Sequence, residues 1–366
     1  MPDRKCGGKM PRREFIERSA SGVLGLAAGA QLLALNDNAQ GGTSVEKRKD
    51  WGNVLKADAT EWLLEDENPV VRYWTLRDLV GASEEEVEAA RQQALQSEVV
   101  KEVFRQQKPE GYWESPDNMH APHYTSTVYH LTLLGDIGPT ADDERIVKGV
   151  EAVLKTQRDD GGFPGHDPRK CEYGPYDIGL IIRFMHQFGL GDDPRLARMY
   201  DWIEKNQTSE GGWVGVKARC NPTPGGCLNG TANVLWGLAA TGKFVGTEVA
   251  QKGIEFLATV MASGPDYGRQ LSYPEFWNFW VDDIKLAEIC LGLGASADQE
   301  LLKGCLKNIL ALQEDDGRWL ERQGPYSEDH ENCKRMRRLF PKKGEQSKWV
   351  AAKAMIVLKQ ALMGQA

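Results

Sequence analysis

The chain has 366 residues, 41% of them hydrophobic and 27% charged, the balance of a soluble globular protein with room for one large core. A net charge of −8 excludes an electrostatic grip on nucleic acid or anionic lipid as its main business. The aromatics are ranked unusually, with 11 Trp against 10 Phe and 10 Tyr, so the indoles are expected in a repeated structural or pocket role.

Residues 1–39 read as a Tat-type signal peptide. Arg12 and Arg13 stand before a Gly/Ala-rich apolar run, Ser21 to Leu35, which is shorter than the roughly 20 residues that span a bilayer. The expectation is export through the Tat pathway to a periplasmic or extracytoplasmic compartment, with no stable transmembrane anchor after signal removal. Residues 40–52 follow as a linker and 53–362 as a single domain. Cys171, Cys220, Cys227, Cys290, Cys305 and Cys333 remain after the leader, in a compartment that permits disulfides. Cys290 and Cys305 sit in apolar helical patterns and are expected as buried thiols.

From there the apolar spacing is helical throughout. The predicted helices are 54–65 with 68–81, 84–107 with 123–135, 142–157 with 175–189, 194–207 with 229–242, 247–261 with 274–294, and 298–313 with 347–361. The second member of each pair is the more apolar, as LNGTANVLWGLAATG shows beside DERIVKGVEAVLKTQ. An apolar inner ring within an amphipathic outer ring defines an all-α fold, an (α/α)6 toroid of six helix pairs.

A motif punctuates the pairs. Gln107 to Trp113 is QKPEGYW, Gln157 to Phe163 is QRDDGGF, Gln207 to Trp213 is QTSEGGW and Gln313 to Trp319 is QEDDGRW. The first three glutamines are 50 residues apart and the fourth lies 106 further on. Such a period marks a repeat architecture. In each copy the glutamine is expected to end an outer helix, with glycine supplying the left-handed turn that stops it. Its amide would satisfy carbonyls left over at that helix end, a structural staple and not a catalytic device.

These Q-x-x-x-G-x-W/F repeats, two of them preceded by Lys148-Gly149 and Lys303-Gly304, resemble the QW-type repeats of terpenoid cyclases such as squalene cyclase. They are also similar to the repeats of protein prenyltransferase β-subunits, which share the α/α toroid. The resemblance implies a pocket at the N-terminal ends of the inner helices. It implies an apolar isoprenoid substrate in an aromatic-lined lumen, and a cyclase or mutase (an isomerase) as the enzyme class. Cyclases that protonate their substrate use Asp-x-Asp-Asp-Thr, with the second Asp as the acid. Aligned on the Asp pair, this chain reads Trp280-Val281-Asp282-Asp283-Ile284, so Asp282 takes the acid's position while Trp280 and Ile284 replace the first Asp and the Thr.

On a helix from 274, Asn278, Asp282 and Lys285 would form one polar stripe within about 60° of one another, with Ile289 and Leu293 deeper along it. Lys285 is expected to pair with Asp282 and lower its pKa, while burial would raise it. Tyr124, Tyr176, Trp277, Trp280 and Trp349 could stabilise a carbocation, hold a lipid or stack on sugar. Asp177 and Asn229 join them as substrate-binding candidates at the entries to the inner helices. In a second reading, an exported polysaccharide lyase or other glycan-active enzyme, Tyr176, His123 and Asn229 would abstract a proton and neutralise a carboxylate. A non-catalytic lipid- or peptide-binding module is a third. The expected partner is therefore an apolar small molecule or a glycan, and no nucleic acid.

No cofactor and no metal site is expected. The Asp-x-Cys pair that would bind zinc in prenyltransferases is absent, and Cys171, Cys220, Cys227, His330 and Cys333 match no closed zinc spacing. Cys220 and Cys227 flank a Pro/Gly loop and could equally form a disulfide. His120 and His123, in a Pro-containing loop, are expected to face solvent.

Overall fold

The computed structural model describes residues 51–122, 124–164, 174–214, 225–263, 270–274, 281–322 and 331–363. The predicted leader and linker therefore lie outside the described residues, apart from Trp51 and Gly52. Among the described residues every regular element is helical, with two isolated bridges and no strand.

The inner ring consists of α2 (Pro69–Trp74, continued as a π-helical turn to Val80), α5 (Thr127–Ile137), α7 (Gly174–Gln187), α9 (Leu228–Ala239), α11 (Asp283–Gly292) and α14 (Lys348–Met363). The outer ring is α1 (Thr60–Leu63), α3 (Glu84–Leu95) with α4 (Glu98–Gln106), α6 (Glu144–Leu154), α8 (Arg195–Asn206), α10 (Glu248–Ser263) and α12 (Glu300–Ala311). A short α13 (Glu331–Arg337) is inserted before α14. Around the inner ring α5 packs on α7, α7 on α9, α9 on α11, α11 on α14, and α14 back on α2. The remaining joint is made by Trp74, whose indole Nε1 donates to the Asp136 carbonyl at 2.9 Å. Outside the ring α3, α6, α8, α10 and α12 pack on α2, α5, α7, α9 and α11, and α1 packs on α14, closing the expected (α/α)6 toroid. Inner helices are contacted on all sides, and α5 accordingly buries every residue along its length. The α7–α9 joint is the tightest, because Gly179 and Gly237 let the backbones touch. A Cβ on Gly179 would collide with the Asn233 carbonyl.

The glutamine motif works differently from expectation. Gln107 and Gln207 are themselves the extended C-caps of α4 and α8, and the glycine stands four residues later. The Gln207 amide donates to the Gly211 carbonyl and to the Val249 carbonyl in α10, both at 2.9 Å. Gln107 bridges Gly111 and Arg145 in the same way, and Gln157 bridges Gly161 and Arg195. Gln313 closes the circle, donating to the carbonyls of Gly317 and Ala57 while accepting from the Lys56 amide. The staple thus joins neighbouring repeats and leaves its own helix end to other partners. Gly211 must be glycine twice over, since its φ is +92° and a Cβ would strike the Lys252 carbonyl. The aromatic turns back on its own outer helix, as Trp113, Trp213 and Trp319 donate to the carbonyls of Val103, Ile203 and Ile309. All three indoles are fully buried, which accounts for part of the Trp excess.

Three helix boundaries depart from the sequence pattern. The run 54–65 keeps only a 3-10 turn (Trp51–Val54) and the four-residue α1, because Gln313 takes the Lys56 and Ala57 backbone groups that a helix would use. The run 84–107 breaks at Gln96–Ser97, where Ser97 caps α4. The helix expected from 274 starts only at Asp283.

Candidate functional site

Five of the six entries to the inner helices follow long connections, and the predicted site residues sit there. Asp282 is the N-cap of α11, with extended backbone and its Oδ1 accepting from the Lys285 amide at 2.9 Å. The polar stripe Asn278–Asp282–Lys285 therefore does not run along one helix, and Asn278 lies outside the described residues. Nor does Lys285 hold Asp282 as an ion pair. Its ammonium donates to Asn233 Oδ1 and lies over the Trp236 ring, 4.3 Å from the centroid. Asp282 is only 2% exposed, and its Oδ2 is buried with no hydrogen-bond partner. Burial wins over the opposing Lys285 amide bond and pushes the carboxyl up to about 7, with the neighbouring Asp283 charge adding to the rise. Asp283 faces α12 instead, accepting from Asn308.

A second cluster forms where α5 and α7 begin. His120, expected at the surface, is buried, and its Nδ1 lies 2.5 Å from Asp177 Oδ1. Asn118 explains the placement: its Oδ1 accepts from the amides of His120 and Ala121 and folds the loop inward. With Nδ1 engaged by the carboxylate, Nε2 faces the Tyr129 hydroxyl at 3.4 Å. That hydroxyl is in turn hydrogen-bonded to Tyr176, whose ring stands edge-on to His120 at 5.3 Å. Burial raises both phenols, Tyr176 to about 12 and Tyr129 well above its usual range. Tyr124, held at φ +74°, packs its ring against Tyr129.

The two clusters are connected. Asn233 donates to the Tyr176 carbonyl at 3.3 Å and accepts from Lys285, whose amide caps onto Asp282. Tyr124, Tyr176, Asp177 and Asp282 are thus drawn into one region with Lys285, together with His120, Tyr129 and Asn233, which the sequence did not place there. The Asn118–His120–Pro122 turn was the only local signal for His120 and none marked Tyr129 or Asn233, while Lys285 was expected beside Asp282 but not on Asn233. Asn229 is half-buried on the first turn of α9, one turn before Asn233. Trp349 is in a separate aromatic column, stacked on Tyr273 at 4.8 Å and edge-on to Trp74 at 5.4 Å. Trp277, Trp280 and His123 lie outside the described residues, as do Cys171, Cys220, His330 and the Cys333 side chain. Cys290 and Cys305 are buried, and burial pushes the Cys290 thiol up to about 12.

A cavity of about 1070 Å³ lies at the opposite end, against the C-termini of the inner helices. The lumen expected to have an apolar floor instead carries Asp136, Arg183, Glu288 and Lys353 there. Among the described residues no group of His, Cys, Asp and Glu is placed to hold a metal ion, and no helix is long and apolar enough to cross a membrane.

No protein-family model matches the chain, and no curated protein matches it. Among solved structures it is similar to the type II terpene cyclase MstE from Scytonema. The apo form is 15% identical over 81% of this chain and 87% of that chain, with a TM-score of 0.40. A variant of the same cyclase in complex with merosterolic acid A, its product, is 16% identical over 88% of this chain and 100% of that chain, with a TM-score of 0.45. A protein from Actinoplanes is 13% identical over 74% and 98%, with a TM-score of 0.32. At these values the likeness carries neither fold nor chemistry across, and both rest on this chain's own residues.

Proposed function

We propose that the entries to the inner helices form an acid–base centre acting on an apolar isoprenoid, with Asp282 as the proton donor. The observation that carries this reading is a fully buried carboxyl that burial pushes up to about 7 against the opposing backbone hydrogen bonds of Lys285 and Ser272. At neutral pH about half of such groups hold their proton, whereas an ordinary aspartate is almost wholly ionised. Protonation of an alkene would leave a tertiary cation, the next double bond would attack it to close a ring, and loss of a proton would end the reaction. The product is an isomer of the substrate. His120, oriented by Asp177 and in reach of Tyr129 and Tyr176, supplies a base for that last proton, and the ring faces of Tyr124, Tyr129 and Tyr176 suit a passing cation. The repeat motif's resemblance to terpenoid cyclases supports the same reading, and the twin-arginine leader supports export of the folded protein.

The His120–Asp177 pair favours a second reading. A carboxylate-oriented imidazole beside two tyrosines is also a device for abstracting a proton from the sugar of an acidic polysaccharide. Two variants separate the readings. Asn caps a helix as well as Asp does, so Asp282→Asn removes the proton without the cap. Under the first reading it abolishes conversion of polyprenyl substrates such as geranylgeraniol, followed by mass spectrometry and NMR of the product. Under the second, His120→Gln abolishes the ultraviolet signal of unsaturated uronates released from alginate or pectate, while Asp282→Asn leaves that signal. Full turnover of a polyprenyl substrate by Asp282→Asn would end the acid assignment.

A further inference from the structure

Lys285 is the third residue of α11, and Asp282 is its N-cap. A side chain at the third position can reach back to the cap, as in a capping box. A buried carboxyl and a lysine so placed would ordinarily close into an ion pair. Here they do not, because two side chains of α9 hold the ammonium. Asn233 Oδ1 accepts from Lys285 Nζ, and the Trp236 ring lies beneath it, 4.3 Å away at the centroid.

Both holding groups are themselves fixed. The Asn233 amide donates to the Tyr176 carbonyl at 3.3 Å, which turns its oxygen toward Lys285. The backbone beneath it is pinned where α7 meets α9, with the Asn233 carbonyl against Gly179. The Trp236 indole donates to Glu288 at 2.8 Å, and Glu288 also accepts from Lys353 at 3.0 Å. Arg183 lies over the same ring, 3.9 Å from the centroid, and donates to Asp136 at 2.6 Å. Asp136, Arg183, Glu288 and Lys353 come from α5, α7, α11 and α14, so a belt of charge from four inner helices steadies the ring.

The other charges around Asp282 are engaged elsewhere. Asp283 accepts from Asn308 on α12. On α14, Lys353 pairs with Glu288 and Lys348 with Glu65 and Glu67. Beside Ser272, whose amide bonds Asp282, the Tyr273 amide donates to Glu321. Across α9, Asp177 pairs with His120, and α9 has no ionisable side chain of its own. Among the described residues Lys285 is therefore the cation placed to neutralise Asp282. Even as it stands, its charge pulls the carboxyl down while Asp283 pushes it up.

We propose that Asn233 and Trp236 are positioning residues for the acid: they hold the Lys285 ammonium off Asp282 and so keep that carboxyl able to carry a proton. This rests on the reading of Asp282 as the proton donor. The test reads the carboxyl itself, by carbon-detected NMR titration of the full chain labelled with carboxyl-carbon-13 aspartate, the signal assigned by its loss in Asp282→Asn. Asn233→Leu releases Lys285, and the Asp282 midpoint is expected about 1–3 pH units lower, the effect of an adjacent cation. Lys285→Met is expected to leave the midpoint no lower, and Asn233→Leu/Lys285→Met to show no fall. A loosened site that admitted water would lower the midpoint with or without Lys285. A fall that persists in the double variant therefore overturns the proposal, as does an unchanged midpoint in Asn233→Leu. Should Asn233→Leu fail to fold, Asn233→Ala, which adds no bulk where α7 meets α9, decides. Trp236→Leu is expected to lower the midpoint more than Trp236→Phe, which keeps a ring under the ammonium; equal falls would overturn the assignment of Trp236. None of these outcomes needs turnover. If Asp282 is not the acid, the parent converts no polyprenyl substrate while the shifts remain; if the positioning is wrong, conversion stands and the shifts are absent.

Discussion

The two ends of the inner ring each bury a carboxyl, and the two carboxyls behave oppositely. Asp282, at the entry to α11, is pushed up to about 7 by burial. Asp136, near the end of α5, is as desolvated, but the charges of Arg183 and Lys353 and the Gln187 hydrogen bond outweigh burial and hold it below its usual range. The difference lies in where the nearest cation points. Lys285 turns from Asp282 to Asn233 and Trp236, whereas Arg183 faces Asp136 directly. Depth of burial alone does not set the sign of a shift; the partner does. One end is left with a transferable proton and the other with a fixed ion pair.

Removing Arg183 should break this contrast with the largest effect. Arg183→Met strips Asp136 of its main counter-charge in a buried site, which typically costs about 3–5 kcal/mol. Urea unfolding should show the loss, and the double variant Asp136→Leu/Arg183→Met should recover a substantial part of it, because no buried charge is then stranded. A single variant as stable as the parent would mean that the belt contributes nothing to the fold.

A comparison within the entry end is sharper still, because Asp282 has an opposing neighbour in kind. His130 on α5 is fully buried beside Trp113, and burial lowers its imidazole to about 3. In the unfolded chain Asp282 releases its proton near 3.8 and His130 near 6.5. As pH rises from about 4, the folded protein keeps the Asp282 proton that the unfolded chain has lost, so Asp282's contribution to stability falls until pH about 7. Over the same interval the unfolded chain still holds the His130 proton that the folded state excludes, so His130's contribution grows until pH about 6.5. The two slopes, each about 1.4 kcal/mol per pH unit, cancel. Asp282→Asn should therefore gain stability as pH rises from 4.5 to about 6.5, and His130→Leu should lose it, by about 3 kcal/mol each. Denaturant midpoints measured across that window check both signs. Identical pH profiles in the two variants would mean that one of the groups is not buried as described.

The contrast between the ends also explains what could be read in advance. The ring was legible because helical spacing and a repeating Gln-Gly-aromatic frame are local signals, renewed in each pair. The entry-end chemistry was only half legible. Asp282, Asp177 and Tyr176 stood out by residue type, but His120 was assigned to solvent because one histidine in a proline-containing loop has no periodicity to place it. The ionisation of Asp282 was illegible because it depends on Lys285 choosing Asn233, 52 residues away, over a carboxyl three residues away. The charged belt was missed altogether. Asp136, Arg183, Glu288 and Lys353 come from four helices, and each alone reads as an interruption of an apolar face.

Two smaller effects bear on how each end is fastened. The entry end depends on staples between repeats, so Gln207→Leu should leave the Gly211 and Val249 carbonyls without their donor, at a cost of about 1–3 kcal/mol. Thermal unfolding should then begin at the α8–α10 joint, visible as early loss of amide protection in that segment under hydrogen exchange. Uniform loss of protection would place the staple's energy in the whole ring instead.

The opposite end is fastened by turns within a pair, and its caps are local. Ser83 accepts from the Glu86 amide while Glu86 reaches back to the Ser83 amide, a complete capping box at the start of α3. Ser83→Ala should cost about 1 kcal/mol, less than the staple, since the freed amides are exposed and water replaces the lost bond. The ranking tests the comparison: a bond between two repeats should be worth more than a cap within one, because the staple is partly buried whereas the cap is exposed. Equal losses in urea unfolding of Gln207→Leu and Ser83→Ala would mean that water reaches the partly buried staple as readily as the exposed cap.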